Sequence, residues 1–372
     1  MKRDYDVAAY VWPSYTGDEP RSRIFWPEGY GEWQTVHNAD KYLSEKPEGY
    51  TWNRKPLWGY VNEANKDVME MEIECAISHG VNVFIYDWYW YDDRPFLENC
   101  LNDGFLKAKN NGKMKFYLMW ANHNANHMWH IDLSDVVGNE IIWRGDVTFD
   151  IFKRLVSRWI EKYFSHPSYY KIDGKPVFMI YQMANLLKSF GGSEGARRAL
   201  DYFREEVKKA GFPGLHLQGV YNEPIGFEYD GRFGGTAGDL YELLGFDSAT
   251  HYNMGSAPTR NKDYTDIIKD HKETYDRMDK AGYLYFPQVS VGWDANPRFK
   301  KFRPSIMKNN TPENIKKALL QARDYVDTHE LPAPLVVINS WNEWTETSYL
   351  QPDNLYGYGY LEAVREAFCD EN

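Results

Sequence analysis

The sequence predicts an α/β fold: a single (β/α)₈ barrel with long loops after its strands, formed as one domain over residues 1–372. Eight apolar segments with the character of buried strands alternate with segments of helical spacing, and no linker or low-complexity stretch interrupts them. Alternating strands and helices favour a parallel sheet, and eight such units favour a closed barrel. A doubly wound sheet is the alternative, but no glycine-rich phosphate loop follows the first predicted strand.

The predicted strands are short apolar runs, each followed by polar or aromatic residues. They cover residues 6–12, 81–87, 113–121, 175–181, 215–220, 246–252, 284–291 and 334–338, with the weakest pattern at 246–252. The first strand is followed by a segment rich in Gly, Pro, Trp and Tyr, residues 14–56. This segment is too long for an idle loop, so we predict that it is functional.

The predicted helices have apolar residues at helical spacing and recognisable ends. They cover residues 65–79, 95–109, 149–164, 194–210, 264–280 and 360–368, and a further helix begins near residue 311. Gly80, Gly211 and Gly282 follow three of these helices, as a C-terminal cap requires. Thr311 and Pro312 have the pattern of an N-terminal cap followed by proline at the first helical position.

The charge balance indicates an uncharged ligand. The chain has 43 basic and 54 acidic residues, a formal net charge of −11. Such a balance argues against nucleic acid or an anionic membrane as the main partner. No apolar run approaches the length of a membrane span, and the N-terminus lacks the apolar stretch of a signal peptide. As it stands the sequence predicts a cytoplasmic protein, or a periplasmic or secreted one if a leader was removed.

Aromatic residues are unusually frequent, at 17% of the chain. A large core accounts for many of them, but others stand at predicted strand ends beside polar residues. Aromatic faces stack on the C–H faces of sugar rings, so we expect an oligosaccharide or polysaccharide ligand. The three cysteines, Cys75, Cys100 and Cys369, are widely spaced and form neither a metal pattern nor a disulfide framework. The expected cofactor is none.

Catalytic and binding groups of a (β/α)₈ barrel lie where its strands end, at the C-terminal face. The strand ends of this chain carry amide, imidazole, carboxylate and aromatic groups, which suit the recognition of hydroxyls. Each of them alone has the alternative role of a cap or turn former. The predicted substrate-binding residues are Trp12, Asp87, Trp88, Tyr89, Trp120, Asn122, His123, Tyr181, Asn222, Glu223, His251, Tyr252, Trp293, Asp294, Trp341, Asn342 and Trp344.

Three histidines after the third predicted strand have a spacing that resembles a metal-ligand cluster: His123, His127 and His130. They follow a strand rather than lie on a clear helix, and the sequence has no HExxH pattern. We therefore predict no metal site and interpret these histidines as loop residues that bind sugar hydroxyls.

Two carboxyl groups after the last predicted strand, Glu343 and Glu346, are the candidate catalytic pair. Glycoside cleavage requires a protonated acid for the leaving oxygen and a second carboxylate for the other half of the reaction. Residues three apart face the same side of a helical turn. Such a general acid needs a raised pKa, which indole neighbours and a nearby like charge would supply. The alternative is a pair of acids that stabilise a helix N-terminus.

The segment Trp341-Asn342-Glu343-Trp344-Thr345-Glu346 resembles the Asn-Glu-Trp-x-Glu element of glycoside hydrolase family 99, the endo-α-1,2-mannosidases. Three further segments are similar to the related WbsX-like group of polysaccharide gene clusters: residues 85–90, 119–124 and 171–181. The resemblance extends over about residues 5–365 and implies a (β/α)₈ barrel without a cofactor.

Carried over by this motif, Glu343 acts as base on the substrate's own 2-hydroxyl, which forms an anhydro-sugar, and Glu346 is the general acid/base. The resemblance thus implies a retaining hydrolase of an α-linked, mannose-type glycan. The sequence departs from family 99 at Thr345 and Thr347, where that family has His and Gly, and its mannose-binding loop has no counterpart in this sequence. The reaction type is therefore better supported than the mannose specificity.

Asn222-Glu223-Pro224 offers a competing assignment. It matches the Asn-Glu-Pro acid/base element of the large retaining clan of barrel glycosidases, with Glu343 then as nucleophile. That clan carries the element on strand four, whereas it closes the fifth predicted strand here, and Glu223 has a substrate-binding role as its alternative. Two other functions stay open: a glycosyltransferase of surface polysaccharide synthesis, as the WbsX-like group implies, and a glycan-binding barrel without catalysis.

Overall fold

Eight parallel strands form the centre of the molecule in the computed structural model, which describes residues 4–17, 19–138, 140–221, 228–229, 232–233, 237–253 and 262–369. The strands are β1 Asp6–Val11, β2 Val83–Tyr91, β3 Lys115–Trp120, β4 Lys175–Ile180, β5 His216–Val220, β6 Ser248–Thr250, β7 Gln288–Ser290 and β8 Leu335–Asn339. They are hydrogen-bonded side by side in the order β6-β5-β4-β3-β2-β1-β8-β7. All eight coincide with predicted strands, so the predicted α/β barrel is confirmed.

The ring of strands is nearly closed, and its weakest contact is between β6 and β7. Ala8 of β1 lies opposite both Val83 of β2 and Val337 of β8, which places β1 between its two parallel neighbours. On this side β6 pairs with the segment just before β7 through a single bridge, in which Ala249 lies opposite Tyr285. Each of these two strands has only three residues, and β6 is the strand with the weakest sequence pattern.

Ten α-helices lie in the described part of the chain, most of them on the outside of the strands. They are α1 Trp33–Tyr42, α2 Lys66–Ser78, α3 Ser134–Val137, α4 Phe149–Trp159, α5 Met183–Phe190, α6 Ser193–Lys209, α7 Ala237–Leu244, α8 Tyr264–Lys280, α9 Pro312–Thr328 and α10 Gly359–Phe368. The predicted cap of α9 is confirmed, because Oγ1 of Thr311 accepts from the Asn314 amide and Pro312 is the first helical residue. None of these helices is both long enough and apolar enough to cross a membrane.

Shorter elements complete the chain between the strands and helices. Short strands occur at Arg94–Phe96, Ala125–Asn126, Ile141–Trp143, Lys171–Ile172, Glu228–Tyr229, Arg232–Phe233, Asn342–Glu343 and Ser348–Tyr349. Turns of 3₁₀-helix occur at Pro20–Ile24, Phe105–Lys107, Asn111–Lys113, His127–Trp129, Asn296–Arg298 and Trp344–Glu346, and π-helical turns at Cys100–Gly104 and Ile160–Phe164.

The regular helix predicted at residues 95–109 is confirmed only in part, since helical turns cover residues 99–107 alone. The chain there forms a short strand that pairs with the end of β2, then a π-helical turn and a 3₁₀ turn. Two local features explain this. Leu97 has a φ of 59°, in the left-handed region, and a Cβ at Gly104 would lie 2.2 Å from the carbonyl oxygen of Glu63. The chain is thus bent away from a regular helix by a close approach to another segment.

Aromatic residues form much of the core between the strands and the outer helices. Trp159 of α4 packs on Phe178 of β4 with ring centroids 4.4 Å apart, and it also contacts Phe203 of α6 and Trp120 of β3. The core interpretation therefore holds for many of the aromatic residues, including some at strand ends.

Candidate active site

A pocket of about 290 Å³ opens at the C-terminal ends of the strands. Its wall combines aromatic rings, amides, one guanidinium and three carboxyl groups. The lining residues are Trp12, Asp87, Tyr89, Met119, Ala121, His123, Asn124, Asn126, Met128, Trp129, Tyr181, Gln182, Tyr252, Arg298, Glu343 and Glu346. Residues from the predicted ends of β1, β2, β3, β4, β6 and β8 thus meet in one place.

Both candidate catalytic residues lie on the pocket wall, directly after β8. Glu343 ends the short strand Asn342–Glu343, and its amide donates to Oγ of Ser340 over 2.8 Å. Glu346 ends the 3₁₀ turn Trp344–Glu346. The turn brings the two carboxyl groups to the same side of the chain, as their spacing predicts.

Arg298, in the 3₁₀ turn after β7, connects the two carboxyl groups. Its Nη1 donates to Oε1 of Glu346 over 2.7 Å, and its Nη2 donates to Oε2 of Glu343 over 3.1 Å. The guanidinium is buried, with 8% of the residue exposed. Sequence analysis missed Arg298, because a single arginine in a long loop carries no motif that distinguishes it from a surface residue.

Tyr252 and Asp87 form the other side of the pair. The Tyr252 hydroxyl is 3.0 Å from Oε1 of Glu343 and 3.3 Å from Oδ2 of Asp87. A phenol has one proton to donate, so both contacts are hydrogen bonds only when one of the two carboxyl groups holds a proton. Asp87 lies in β2, whereas Tyr252 follows β6 and Glu343 follows β8. Their contacts therefore connect three strands across the mouth of the barrel.

Burial and like charge determine the ionisation of this site. Burial raises the pKa of Glu343 well above its usual range, the Glu346, Glu32 and Asp87 carboxylates raise that pKa further, and Arg298 opposes them. Burial also raises the pKa of Asp87, against the hydrogen bond from Tyr252. Trp341 and Trp344, the indoles that the sequence places beside the pair, are fully buried in the core.

Two carboxyl oxygens at the pocket have no hydrogen-bond partner among the described residues: Oδ1 of Asp87 and Oε2 of Glu346. Buried polar atoms are usually paired, so unpaired acceptors in a pocket are available to a ligand. His123 also lines the pocket, and burial lowers its pKa, which favours the neutral imidazole. The pocket therefore offers acceptors that suit the hydroxyl groups of a sugar.

Six of the predicted substrate-binding residues line the pocket, and a seventh, Asn342, supports the wall from behind. Trp12, Tyr89 and Tyr181 supply aromatic walls, and Trp12 packs on Trp129 with ring centroids 5.2 Å apart. His123, Asp87 and Tyr252 are described above, and Asn342 holds the backbone of Trp12 through hydrogen bonds of 2.7 and 2.9 Å. Asn342 itself is fully buried behind the wall.

Four predicted tryptophans lie in the core instead of on the pocket wall. Trp88 and Trp120 pack outward against Trp159, because successive residues of a strand point to opposite faces. Trp341 donates its Nε1 proton to Glu72, and Trp344 stacks on Tyr349 at 3.8 Å. We therefore leave these four side chains out of the proposed substrate contacts.

The remaining predicted residues support loops or lie elsewhere. Asn122 joins β3 to the end of β4 through two hydrogen bonds to the backbone of Gln182, and His251 bonds the Tyr285 hydroxyl through Nδ1. Asp294 accepts from Tyr50 and Asn296, and Trp293 is partly buried away from the pocket lining. Asn222 and Glu223 lie outside the described residues, so the Asn-Glu-Pro assignment stays a prediction.

The three spaced histidines are not brought together on the pocket wall. Of them, only His123 lines the pocket, whereas Nδ1 of His127 lies 3.3 Å from the Glu140 carbonyl oxygen and Nδ1 of His130 accepts from the Asp132 amide. Within the described ranges, no group of three or more His, Cys, Asp or Glu side chains is arranged to hold a metal ion. His127 and His130 therefore have local structural roles.

A second pair of buried acids lies behind Asn342. Glu63 accepts from the Asn342 amide, and Glu63 and Glu72 both accept from Nε2 of Gln351 over 3.0 and 3.2 Å. Burial raises the pKa of Glu63 well above its usual range and that of Glu72 to about 7. This pair has no face on the pocket, so its effect is on stability.

Thr345 and Thr347, the two departures from the family 99 pattern, each have a defined role in the structure. Oγ1 of Thr345 accepts from Nε of Arg298 over 2.7 Å and donates to Glu32 over 3.0 Å. Thr347 has a φ of 56°, in the left-handed region that glycine favours. Its hydroxyl accepts from Trp52 and donates to the Asp294 carbonyl, which compensates for that conformation.

The fold and the site define a class: (β/α)₈-barrel proteins with a buried carboxyl pair at the C-terminal face of the barrel. Within it, the chain belongs to the family described as "Glycosyltransferase WbsX", whose family model matches residues 7–364. The resemblance to the WbsX-like group is thereby confirmed.

Relatives and solved structures agree with this placement. The uncharacterized protein WxcX of Xanthomonas campestris pv. campestris is 25% identical over 363 residues, which cover 94% of this chain and 47% of WxcX. The chain thus spans about half the length of the curated relatives it matches. A "glycoside hydrolase-like protein" has a TM-score of 0.61 at 14% identity and covers 100% of this chain and 95% of its own. The family 99 endo-α-mannosidase of Bacteroides thetaiotaomicron has a TM-score of 0.55 at 14% identity, with coverage of 99% and 97%. At such identities the likeness is one of fold.

Proposed function

We propose that this chain is a retaining glycoside hydrolase that cleaves an α-linked, mannose-type glycan with Glu343 and Glu346 as its catalytic pair. The observation that carries the proposal is the placement of both carboxyl groups on one pocket wall, joined by Arg298. The aromatic walls and the unpaired acceptors of Asp87 and Glu346 support a sugar as the ligand. The mannose preference rests on the resemblance to family 99 alone.

The proposed reaction has two steps. In the first, the 2-hydroxyl oxygen of the sugar attacks C1, its proton passes to Glu343, and the leaving oxygen takes a proton from Glu346. In the second, Glu346 takes a proton from water, the water oxygen attacks C1, the C1–O2 bond of the anhydro-sugar breaks, and Glu343 returns its proton to O2. Two displacements at C1 give net retention.

The raised pKa of Glu343 supports a base role for this residue. A general base is most effective when its pKa lies near the working pH, and burial raises the pKa of Glu343 in that direction. Oε2 of Glu346, a residue of the pocket wall, has no hydrogen-bond partner among the described residues, which supports a proton-donor role for this carboxyl group. Direct attack by Glu343 on C1 is the alternative that the same pair allows, and it would leave a covalent glycosyl-enzyme.

The family description favours a second candidate, a glycosyltransferase of polysaccharide synthesis. A transferase would release a nucleotide from a sugar nucleotide in the presence of an acceptor. Incubation with a panel of sugar nucleotides and acceptor glycans tests this directly. Nucleotide release that depends on an acceptor would favour the transferase over the hydrolase.

The hydrolase proposal is tested by digestion of a glycan panel with the wild type and with two isosteric variants. We expect cleavage of one α-linked glycan by the wild type and none by Glu343→Gln. Glu346→Gln is expected to cleave only substrates with a very good leaving group, which needs no proton. Full activity of both variants would overturn the proposal, and glycan binding without cleavage would favour a non-catalytic barrel.

A further inference from the structure

Arg298 is the centre of a buried charge cluster that extends beyond the two candidate catalytic residues. Besides its bonds to Glu343 and Glu346, its Nε donates to Oγ1 of Thr345 and lies 3.5 Å from Oε1 of Glu32. A guanidinium is planar, and its donors point in fixed directions. Contacts on all three nitrogens therefore fix the position and the plane of the group.

Glu32 connects this cluster to the pocket wall from behind. It precedes α1 in the segment predicted to be functional, and its side chain is fully buried. One carboxylate oxygen accepts from Nε1 of Trp12 and from Oγ of Ser14, and the other accepts from Oγ1 of Thr345. A single buried carboxylate thus holds an indole of the wall and the threonine that orients Arg298.

We propose that Arg298 is a positioning residue for the Glu343–Glu346 pair, and that Glu32 and Thr345 hold Arg298 in that position. The catalytic part of this inference rests on the proposed function. Three buried carboxyl groups share one guanidinium, and buried like charges without a counter-charge repel one another strongly. Arg298 therefore keeps the two catalytic carboxyl groups close together and in one fixed orientation.

Arg298 is the charged counter-ion of the described pocket wall. His123, the other basic side chain there, is favoured in its neutral form by burial. The titratable and charged groups that face the guanidinium are Glu32, Glu343, Glu346, Tyr15 and His123. From the opposite side, Asp87, Tyr252 and Tyr89 face Glu343. Removal of Arg298 would thus leave a cluster of acids and phenols.

Thr345→Val tests the positioning role in the active protein, because valine keeps the shape and removes both hydrogen bonds of Oγ1. We expect kcat on the glycan that the wild type cleaves to fall by about 100-fold, with KM nearly unchanged and the pH profile displaced. The matched control is Thr250→Val in β6. It removes one buried hydrogen bond, from the Thr250 hydroxyl to the Phe286 carbonyl. The same kcat and pH profile for Thr345→Val as for Thr250→Val would overturn the proposal.

Arg298→Met tests the charge role without any substrate, so its outcome is independent of the hydrolase proposal. We expect its loss of Tm relative to the wild type to grow from about pH 5 to pH 8, as unpaired carboxyl groups ionise. Glu346→Gln should raise Tm in the Arg298→Met background and lower it in the wild type. An equal loss at both pH values, with Glu346→Gln acting alike in both backgrounds, would show that Arg298 is not the counter-charge of the pair.

Discussion

The hydroxyl of Tyr252 lies 3.0 Å from Oε1 of Glu343, so the residues after β6 and β8 are in direct contact across the mouth of the barrel. The same hydroxyl is 3.3 Å from Oδ2 of Asp87, the middle residue of β2. Tyr252 and Arg298 therefore hold Glu343 from opposite sides, one through each carboxylate oxygen. The contact from Tyr252 can be tested by removing its hydroxyl.

Tyr252→Phe should lower kcat/KM by about tenfold or more, because it removes a hydrogen bond to Glu343, the proposed catalytic base. The Tyr252 hydrogen bond lowers the pKa of Asp87, so the variant should have a higher pKa at Asp87 and an altered pH profile. The measurement is kcat/KM against pH for the variant and the wild type. Tyr285→Phe, which loses a buried hydroxyl bonded to His251, is the control. Identical profiles for the two variants would contradict this role of Tyr252.

Glu343→Gln should raise Tm at neutral pH while it abolishes activity. The folded protein raises the pKa of Glu343, so the wild type gains stability from the protonated form below the ordinary glutamate pKa and loses it as pH rises through the folded pKa. Glutamine removes that loss, so the gain should be on the order of 2 °C at neutral pH and vanish in acid. Thermal unfolding across pH measures it. A lower Tm for the variant at neutral pH would contradict the expectation.

Glu72→Gln should flatten the pH dependence of stability near neutrality. Burial raises the pKa of Glu72 to about 7, so its contribution to stability is present below the ordinary glutamate pKa and is lost as pH rises through about 7. Thermal unfolding of the wild type and the variant on both sides of pH 7 tests this. Glu74→Gln, at an exposed glutamate paired with Lys113, is the matched control and should leave that dependence unchanged. A variant that loses Tm through pH 7 as steeply as the wild type would rule Glu72 out.

Trp120, which the sequence predicts as a substrate-binding residue, and Trp129, which it does not, should respond differently to the same substitution. Trp129→Phe removes part of an aromatic wall of the pocket, so we expect KM to rise about fivefold, equivalent to about 1 kcal/mol of lost contact. Trp120→Phe should lower Tm and leave KM unchanged, because Trp120 is fully buried in the core. Steady-state kinetics and thermal unfolding of both variants separate the two roles. A KM effect at Trp120 equal to that at Trp129 would contradict the assignment.

The sequence predicts the barrel well, because strand and helix patterns depend on local periodicity. All eight strands lie where the apolar runs predict them, and β8 brings Glu343 and Glu346 to the pocket as expected. The irregular helical turns within residues 95–109 accompany a close approach of Gly104 to Glu63. These residues are 41 positions apart, so no local sequence pattern predicts their proximity.

The site was predicted less completely for two physical reasons. Alternation along a strand decides which side of the barrel a side chain faces, and Trp88 and Trp120 face outward although the sequence places them at strand ends. The second reason is long-range contact. Arg298 and Glu32 reach the pair from separate loops, and a lone charged residue in a loop resembles a surface residue until the fold is known.

The most direct test of the central claim is anomeric NMR of the first product released from the glycan that the wild type cleaves. The account predicts that the α-linked substrate yields the α-anomer first, with mutarotation to the β-anomer afterwards, and that Glu343→Gln releases no product. Initial release of the β-anomer, or cleavage that survives the Glu343→Gln substitution, would contradict a retaining mechanism that depends on the Glu343–Glu346 pair.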